Sequence, residues 1–566
     1  MLAEGTGDNA ENRALLVLLL AVLFAFCPIF FAGLVWDDYA IINPDGAIAK
    51  VDSLWRVFGG RMIFFEGNGY PYYRPLTDFS FAAQYQIFGA DPITYHVFNL
   101  ALHMLNVALA WKILKRFAGG ISPFARACGL AVFALHPLSV ESVAWIACRG
   151  QLLSQCFAEV ALLAAMQFVR GARGAGCAVL ALLAFLAAML SKESAVVLVP
   201  AGALFFAIAK GGERKRLAAI LGAGVILLVV YTLLNPAARA AQHDLLAAGS
   251  IYGMVAGFGF YIGKFFFPHP LLPCYPLGAQ DHAIFLALGI VGLLVTLAGA
   301  ACVIRGNARR GALAAGLVFA ACSALLPFAG GQFLLADRYL YPTLFGWSIA
   351  AVAMICLLAP RIKIRSELSM IIGSAFVALL TVLAVLQCCL WRTELILWRY
   401  SAYDQNVTAY YNLGQALSRA GEQPSAIGAY RLAWKVSAGP MARERAGSLA
   451  GVALMRDDLG REKWQEITVI APQVIERGFV PPERVLPLLY LAQLSLKQAK
   501  SAEQTEAQLE AVASRLQSDE LLFIAQIQVR VTKDAGRART WYERARSAGA
   551  EQNGEVEGFI NAAPAP

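Results

Sequence analysis

The sequence predicts an all-α, polytopic membrane protein that ends in a soluble α-solenoid, and three observations carry that prediction. Hydrophobic residues make up 58% of the 566 residues and charged residues 15%, well below the roughly one-quarter charge of soluble domains. Apolar runs of about twenty residues, enough to cross a bilayer as helix, recur as far as residue 390. Beyond residue 391 the pattern changes to short amphipathic helix pairs. The net charge of +9 resides in short loops between apolar runs, where it sets membrane orientation. Nucleic acid is therefore not an expected partner. The eleven cysteines lie mostly inside apolar runs and form no CxxC pair, so they read as small buried hydrophobes.

The first run, 14–35, is too long and its head too acidic for a cleaved leader, so it is expected to stay as a transmembrane helix. Ten further runs fall at 94–116, 123–140, 150–169, 174–190, 194–210, 217–234, 283–303, 311–328, 341–358 and 368–390. The run 251–267 (IYGMVAGFGFYIGKFFF) is assigned by loop charge. Basic clusters at Lys112/Lys115/Arg116/Arg126, Arg170/Arg173, Lys210/Arg214/Lys215/Arg216, Arg305/Arg309/Arg310 and Arg361/Lys363/Arg365 belong on one side, so an even number of crossings separates each from the next. Three runs between the third and fourth clusters are one too many, which makes 251–267 re-entrant or interfacial. About eleven spans result, with the N-terminus inside and the C-terminus outside.

Residues 36–93 then form a long outer loop rich in Trp and Tyr, expected to lie in the headgroup layer. It opens with Asp37 and Asp38, two carboxylates at the membrane boundary, where ionisable groups mark sites. The outer boundary also carries Arg149, Lys192, Arg239, Lys264 and Arg338, cations that run against the orientation bias and suit an anionic lipid phosphate. Salt bridges to Glu193 or Asp337 are the plainer reading. His96, Asn99, His103 and Asn106 share one face of the second span, a pattern that fits interhelical hydrogen bonds, with His96 nearest the outer end. His136 and Glu141 either serve a metal or acceptor or tie a helix turn.

The soluble part, from 392 to 566, begins with TAYYNLGQALSRAGEQPSAIGAYRLAWKV. Its Tyr410, Leu413, Gly414, Leu417, Ala426, Tyr430 and Ala433 fall at the packing positions of a 34-residue tetratricopeptide repeat. Weaker copies are expected at about 443–478, 483–517 and 520–549, because a single repeat cannot bury its own face.

WDDYAIINP, YYRPLTDFSF, YHVFNLALHMLN, ALHPLSVESVAWIACRGQLL, LSKESAVVLVP and DRYLYP, followed by repeats, together resemble the transmembrane and tetratricopeptide repeat-containing O-mannosyltransferase-like (TMTC) family of the GT-C glycosyltransferases. The resemblance implies a GT-C-like membrane domain over 1–391, taking a sugar from a polyprenyl-phosphate donor at the extracytoplasmic face. It assigns Asp37 and Asp38 as the catalytic acidic pair and Lys192 and Arg338, with Arg149 and Lys264, to the donor phosphate. Arg74, His96, His136, Glu141, Glu193, Tyr339 and Tyr341 are expected to line the substrate pocket.

A sugar on phosphate already has a good leaving group, so the chemistry needs a base for the acceptor hydroxyl and cations for the departing phosphate. Adjacent residues point in different directions, so one aspartate serves as base. The other orients the loop, binds the acceptor or holds a divalent cation (Mg2+ or Mn2+). The expected reaction moves a sugar, mannose by the resemblance, to a Ser/Thr hydroxyl of a protein acceptor bound in part by the repeats, with inversion. Alternatives are a transferase acting on envelope glycan or lipid, and a membrane scaffold. The short loops and low repeat number point to a bacterial inner membrane, with the site and the repeats in the periplasm.

Overall fold

The structure is a computed structural model. It describes the chain apart from residues 1, 43, 45–47, 50–56, 59–72, 119, 172–173, 209–210, 235–250, 277, 304–307, 330–334, 360, 362–364, 404, 439–444 and 563–566. The described residues contain helices and no strand, as the composition requires. The chain divides into two compact units, Met1–Leu397 and Trp398–Pro566.

In the first unit the helices used below are α1 (Leu2–Phe26), α2 (Pro75–Phe88), α3 (Pro92–Phe117), α4 (Pro123–Ala134), α5 (Val140–Ala144), α6 (Arg149–Val169), α7 (Ala175–Ser191), α8 (Leu198–Ile208), α9 (Gly211–Leu234), α10 (Ile251–Phe266), α11 (Ala283–Val303), α12 (Ala308–Ala329), α13 (Tyr341–Leu358) and α14 (Ser366–Leu390). Several starts are written in the sequence as a polar residue followed by proline. Asp91 accepts from the Ile93 amide at 3.2 Å and Ser122 from the Ala125 amide at 3.2 Å, each ahead of a proline at the first helical position. The carboxylate or hydroxyl satisfies an orphan N–H, and proline fits where no donor is needed.

Among the described residues eight helices are long and apolar enough to cross a membrane, or nine if one bent pair counts as a span, against the eleven expected. The difference lies in three places. The run 123–140 breaks into α4 and Pro137–Ala144 with a 46° bend, because proline pushes the preceding residue, His136, into extended backbone (ψ 134°). The runs 174–190 and 194–210 form the shorter α7 and α8 instead of full-length spans. Segment 251–267 is likewise a short apolar helix, α10.

Close approaches fix the bundle. Gly316 on α12 and Gly346 on α13 face each other, and a Cβ on Gly316 would lie 2.7 Å from the Gly346 carbonyl oxygen. Small residues let membrane helices touch backbone to backbone, and nothing larger fits. The polar face of α3 is interhelical. Asn106 Nδ2 donates to the Tyr341 hydroxyl at 3.1 Å, which in turn lies 2.7 Å from His103 Nδ1, while His103 Nε2 lies 3.0 Å from the Ala134 carbonyl. The carbonyl requires a proton on Nε2, so Nδ1 accepts from the tyrosine.

In the second unit α15 (Val407–Arg419) and α16 (Gln423–Val436) form the first helix pair. Gly414 is where the ring of Tyr430 lies, leaving no room for a side chain. Ala426 and Ala433 are buried beside it. Three further pairs follow: Arg445–Gly460 with Trp464–Arg477, Leu486–Ser495 with Ala499–Val512, and Ser518–Ile527 with Ala535–Ser547. They fall in the three intervals expected for further copies, and the last two pairs share one core that buries Leu509 and Trp541.

Gly316→Leu is expected to force α12 and α13 apart and to destabilise the bundle by about 1–3 kcal/mol, the usual range for overpacking. Gly222→Leu on α9, where a Cβ meets nothing within 4 Å, is expected to be neutral. Thermal unfolding of the two variants in one detergent checks the contrast.

Candidate functional site

The chain leaves α1 through a short 3-10 turn and reaches Trp36, whose φ of +56° is in the left-handed region that non-glycine residues avoid. Two contacts surround this strained position. The indole of Trp36 stacks on Trp145 at 4.7 Å and 10°. The carboxylate of Asp38 accepts from the Val35 amide at 3.1 Å and from the Ala147 amide at 2.9 Å. Asp38 thus ties the turn to the Ile146–Cys148 segment and is 0% exposed. Burial pushes its carboxyl well above the ordinary range, against the pull of those amides.

Asp37 differs in each respect. It is partly exposed and its carboxylate has no hydrogen bond or ion pair among the described residues. Burial of its surroundings raises its pKa to about 6, and the charge of Arg338 opposes the rise. The two neighbours therefore separate into an anchored carboxylate and an available one.

Arg338 lies in the turn before α13 and is gripped by Glu141 on α5. Glu141 Oε2 accepts from the Arg338 amide at 2.6 Å and Oε1 from its Nη1 at 2.8 Å, while Nη1 also donates to the Pro273 carbonyl at 2.8 Å. The guanidinium Nε and Nη2 have no partner among the described residues. Its carbon lies 4.9 Å from the Tyr339 ring centre. Lys192, in extended backbone after α7, places Nζ 5.8 Å from the same ring. The ammonium makes no hydrogen bond or ion pair among the described residues and is 9% exposed. Burial lowers its pKa to about 8, and the nearby Arg74 charge adds to the effect. Arg74 itself forms a two-pronged pair with Glu193, at 2.6 and 3.0 Å. Cys148 lies within electrostatic reach of Asp38, Glu141, Lys192 and Arg338, which locates the cluster around one short segment.

The structure thus brings together Asp37, Asp38, Arg74, Glu141, Lys192, Glu193, Arg338 and Tyr339. It places the other expected site residues elsewhere. Arg149 is 0% exposed, donates to Asn99 and to the Ser80 carbonyl, and is wrapped by Phe81, Tyr95 and Phe98. It braces α2, α3 and α6 and has no open face for a lipid phosphate. Tyr341 is buried in the interhelical network described above. His96 approaches the Gly33 carbonyl at 3.3 Å, supporting the turn from behind. His136 accepts from the Leu138 amide through Nδ1 and gives its Nε2 proton to the Phe265 carbonyl at 2.9 Å, so both nitrogens are occupied. Lys264 donates to the Pro270 carbonyl at 2.7 Å, pinning the strap whose Pro273 carbonyl holds Arg338. Arg239 lies outside the described residues, as does most of the loop 43–72. Trp36 and Trp145 stood in quoted motifs but had no assigned role. The signal was an aromatic directly before an acidic pair and another four residues before a membrane-boundary arginine.

No group of three or more His, Cys, Asp or Glu is gathered among the described residues, and each oxygen of Asp38 accepts from one backbone amide.

Over 162 residues the chain is 28% identical to a protein O-mannosyl-transferase, F38B6.6, of Caenorhabditis elegans, covering 28% of this chain and 23% of that one. The chain is similar to protein O-mannosyl-transferases. The human protein O-mannosyl-transferase TMTC3 matches at 26% over 161 residues, 28% of this chain and 17% of its own length. The longer human match, protein O-mannosyl-transferase TMTC4, is 24% identical over 494 residues, 74% of this chain and 65% of that protein. The chain spans less than two thirds of each of these relatives. These similarities support the TMTC resemblance read from the motifs. No family model matches the chain, and no solved structure does.

Asp38→Ala is expected to lower stability, because two amides lose their acceptor in a buried turn, at about 1–3 kcal/mol each. Asp37→Ala removes no hydrogen bond and is expected to unfold with the parent chain. Denaturation midpoints of the two variants measured side by side check the difference.

Proposed function

We propose that the chain is a membrane glycosyltransferase that moves a sugar, mannose by analogy with the names of its relatives, from a polyprenyl-phosphate donor to a Ser or Thr hydroxyl of a protein. The observation that carries this reading is one uncommitted carboxylate, Asp37, in the field of Arg338, with an uncommitted ammonium, Lys192, beside the same arginine and Tyr339. The loop-charge pattern supports an extracytoplasmic site, and short loops favour a bacterial inner membrane with the repeats in the periplasm.

In the proposed reaction the donor phosphate sits against Nε and Nη2 of Arg338 and Nζ of Lys192. Asp37 takes the proton of the acceptor hydroxyl as its oxygen attacks the anomeric carbon. The bond from that carbon to the phosphate oxygen breaks, and the electron pair leaves with the phosphate, whose charge the two cations stabilise. A carboxyl near pKa 6 is a stronger base than an ordinary aspartate yet still mostly ionised at neutral pH. Direct attack opposite the phosphate inverts the anomeric centre. Asp38 holds the loop, and Glu141 fixes the guanidinium so that its open edge is presented to the phosphate. The second unit, built of stacked helix pairs, is assigned to the protein acceptor.

The test is transfer from farnesyl phosphate mannose to a Ser/Thr peptide by the purified full chain, followed against pH. Below about pH 6 the rate is expected to fall tenfold per unit as Asp37 protonates. Above about pH 8 it is expected to decline as Lys192 loses its charge, and Lys192→Arg is expected to shift that alkaline limb upward. Absence of any transfer, or a rate indifferent to pH between 5 and 7, would overturn the reading.

A further inference from the structure

The break between α7 and α8 leaves Lys192 in extended backbone, and three consecutive residues there are each held by a different side chain. Thr77 Oγ1 donates to the Ser191 carbonyl at 2.8 Å. Ser154 Oγ donates to the Lys192 carbonyl at 3.3 Å. Arg74 grips Glu193 through both prongs of its guanidinium. Two of these three holds come from the first turn of α2, where the Thr77 amide is bonded to the Arg74 carbonyl at 3.0 Å. The approach is made possible by α6. A Cβ on Gly150 would lie 2.9 Å from Thr77 Oγ1 and 3.0 Å from the Ser191 carbonyl oxygen, so a larger residue would push the two segments apart. Half of the Glu193 side chain faces outward, at 51% exposure, and ion pairs so exposed contribute little to folding. What a two-pronged pair does supply is direction. The backbone on both sides of Lys192 is thus fixed by α2, while its ammonium has no hydrogen bond or ion pair among the described residues.

We propose that α2 is the clamp of the donor-phosphate site, with Arg74, Thr77 and Glu193 acting as positioning residues that aim the Lys192 ammonium. An ammonium on a fixed backbone loses less freedom in meeting an anion than one on a mobile turn. The clamp also acts through charge. Arg74 repels the proton of Lys192, and Glu193 retains it. The other groups facing Lys192 are Arg338 before α13, Cys148 before α6 and Glu141 on α5, and these stay the same throughout the test. This inference rests on the assignment of the donor phosphate to Lys192 and Arg338, and the experiment separates the two.

Equilibrium binding of farnesyl phosphate to the full chain is followed from neutral to alkaline pH, with thermal unfolding recorded for each variant. The parent chain is expected to lose affinity above about pH 8, as Lys192 gives up its proton. Arg74→Gln removes a repelling cation and leaves Glu193 unpaired, so the alkaline limb is expected to move up. Glu193→Gln is expected to move it down, each shift being on the order of half a pH unit. Arg74→Lys keeps the charge and is expected to hold the limb in place. Thr77→Val keeps the volume but loses one hydrogen bond, which is expected to weaken binding about threefold to tenfold at neutral pH. Thr77→Ser, which retains the hydroxyl, is expected to keep most of the affinity. Opposite shifts for Arg74→Gln and Glu193→Gln support the clamp, since a loss of folded protein lowers binding alike at every pH. Coincident limbs in those two variants and the parent overturn it. Parental affinity in Thr77→Val, or equal losses in Thr77→Val and Thr77→Ser, also overturn it. A parent chain that does not bind farnesyl phosphate, or binds it alike across this range, overturns the phosphate assignment and the clamp with it.

Discussion

The double grip of Glu141 on Arg338 is the interaction on which the site depends. It joins positions 197 residues apart and engages both the backbone amide and the guanidinium. A buried ion pair is weak evidence for stability, since desolvation opposes the attraction. Its value here lies in direction. With Nη1 committed to Glu141 and the Pro273 carbonyl, rotation of the guanidinium is blocked and Nε and Nη2 stay presented. The kink at Pro137 makes this grip reachable, because a straight helix through 123–140 would carry Glu141 along its axis and away from α13. One proline in ALHPLSVES thus sets the geometry of a distant arginine.

The acidic pair shows how neighbours in sequence acquire opposite tasks. Trp36 turns the chain with a positive φ, Asp38 faces inward to two amides, and Asp37 is left with only long-range attraction to Arg338. A hydrogen-bonded carboxylate is a poor base, since a proton must displace the bonds that hold it, whereas an unbonded one beside a cation stays ionised and accessible.

Much of the fold was legible because its determinants are local or periodic. Apolar run length, X-Pro helix starts and the Gly414/Tyr430 repeat signature all act within a few turns of chain. The shortfall in long spans also has a local cause: length alone could not reveal the bend that Pro137 introduces, or the break at Lys192 between α7 and α8. The site was legible in part. Charges against the orientation bias pointed to Lys192 and Arg338, which the structure gathers, and also to Arg149 and Lys264, which it uses as internal braces. The same residue type at the same membrane depth serves both purposes, and only the partners distinguish them. Arg149 meets three aromatic rings and Asn99, and those contacts arise from helix packing that no spacing encodes. Tyr341 fell among the expected pocket residues because it shares a motif with Arg338. A helical turn carries its side chain to the opposite side, into the His103–Asn106 network.

The central claim is that Asp37, and not Asp38, accepts the proton. The most direct measurement is the transfer rate of Asp37→Asn and Asp38→Asn, each normalised to folded, membrane-inserted protein and to bound farnesyl phosphate. Loss of a general base is worth about 10²–10⁴ in rate. The account predicts a loss of that size for Asp37→Asn with phosphate binding intact, and a smaller loss for Asp38→Asn that follows its loss of folded protein. Full activity in Asp37→Asn, or the large loss confined to Asp38→Asn after normalisation, would contradict it.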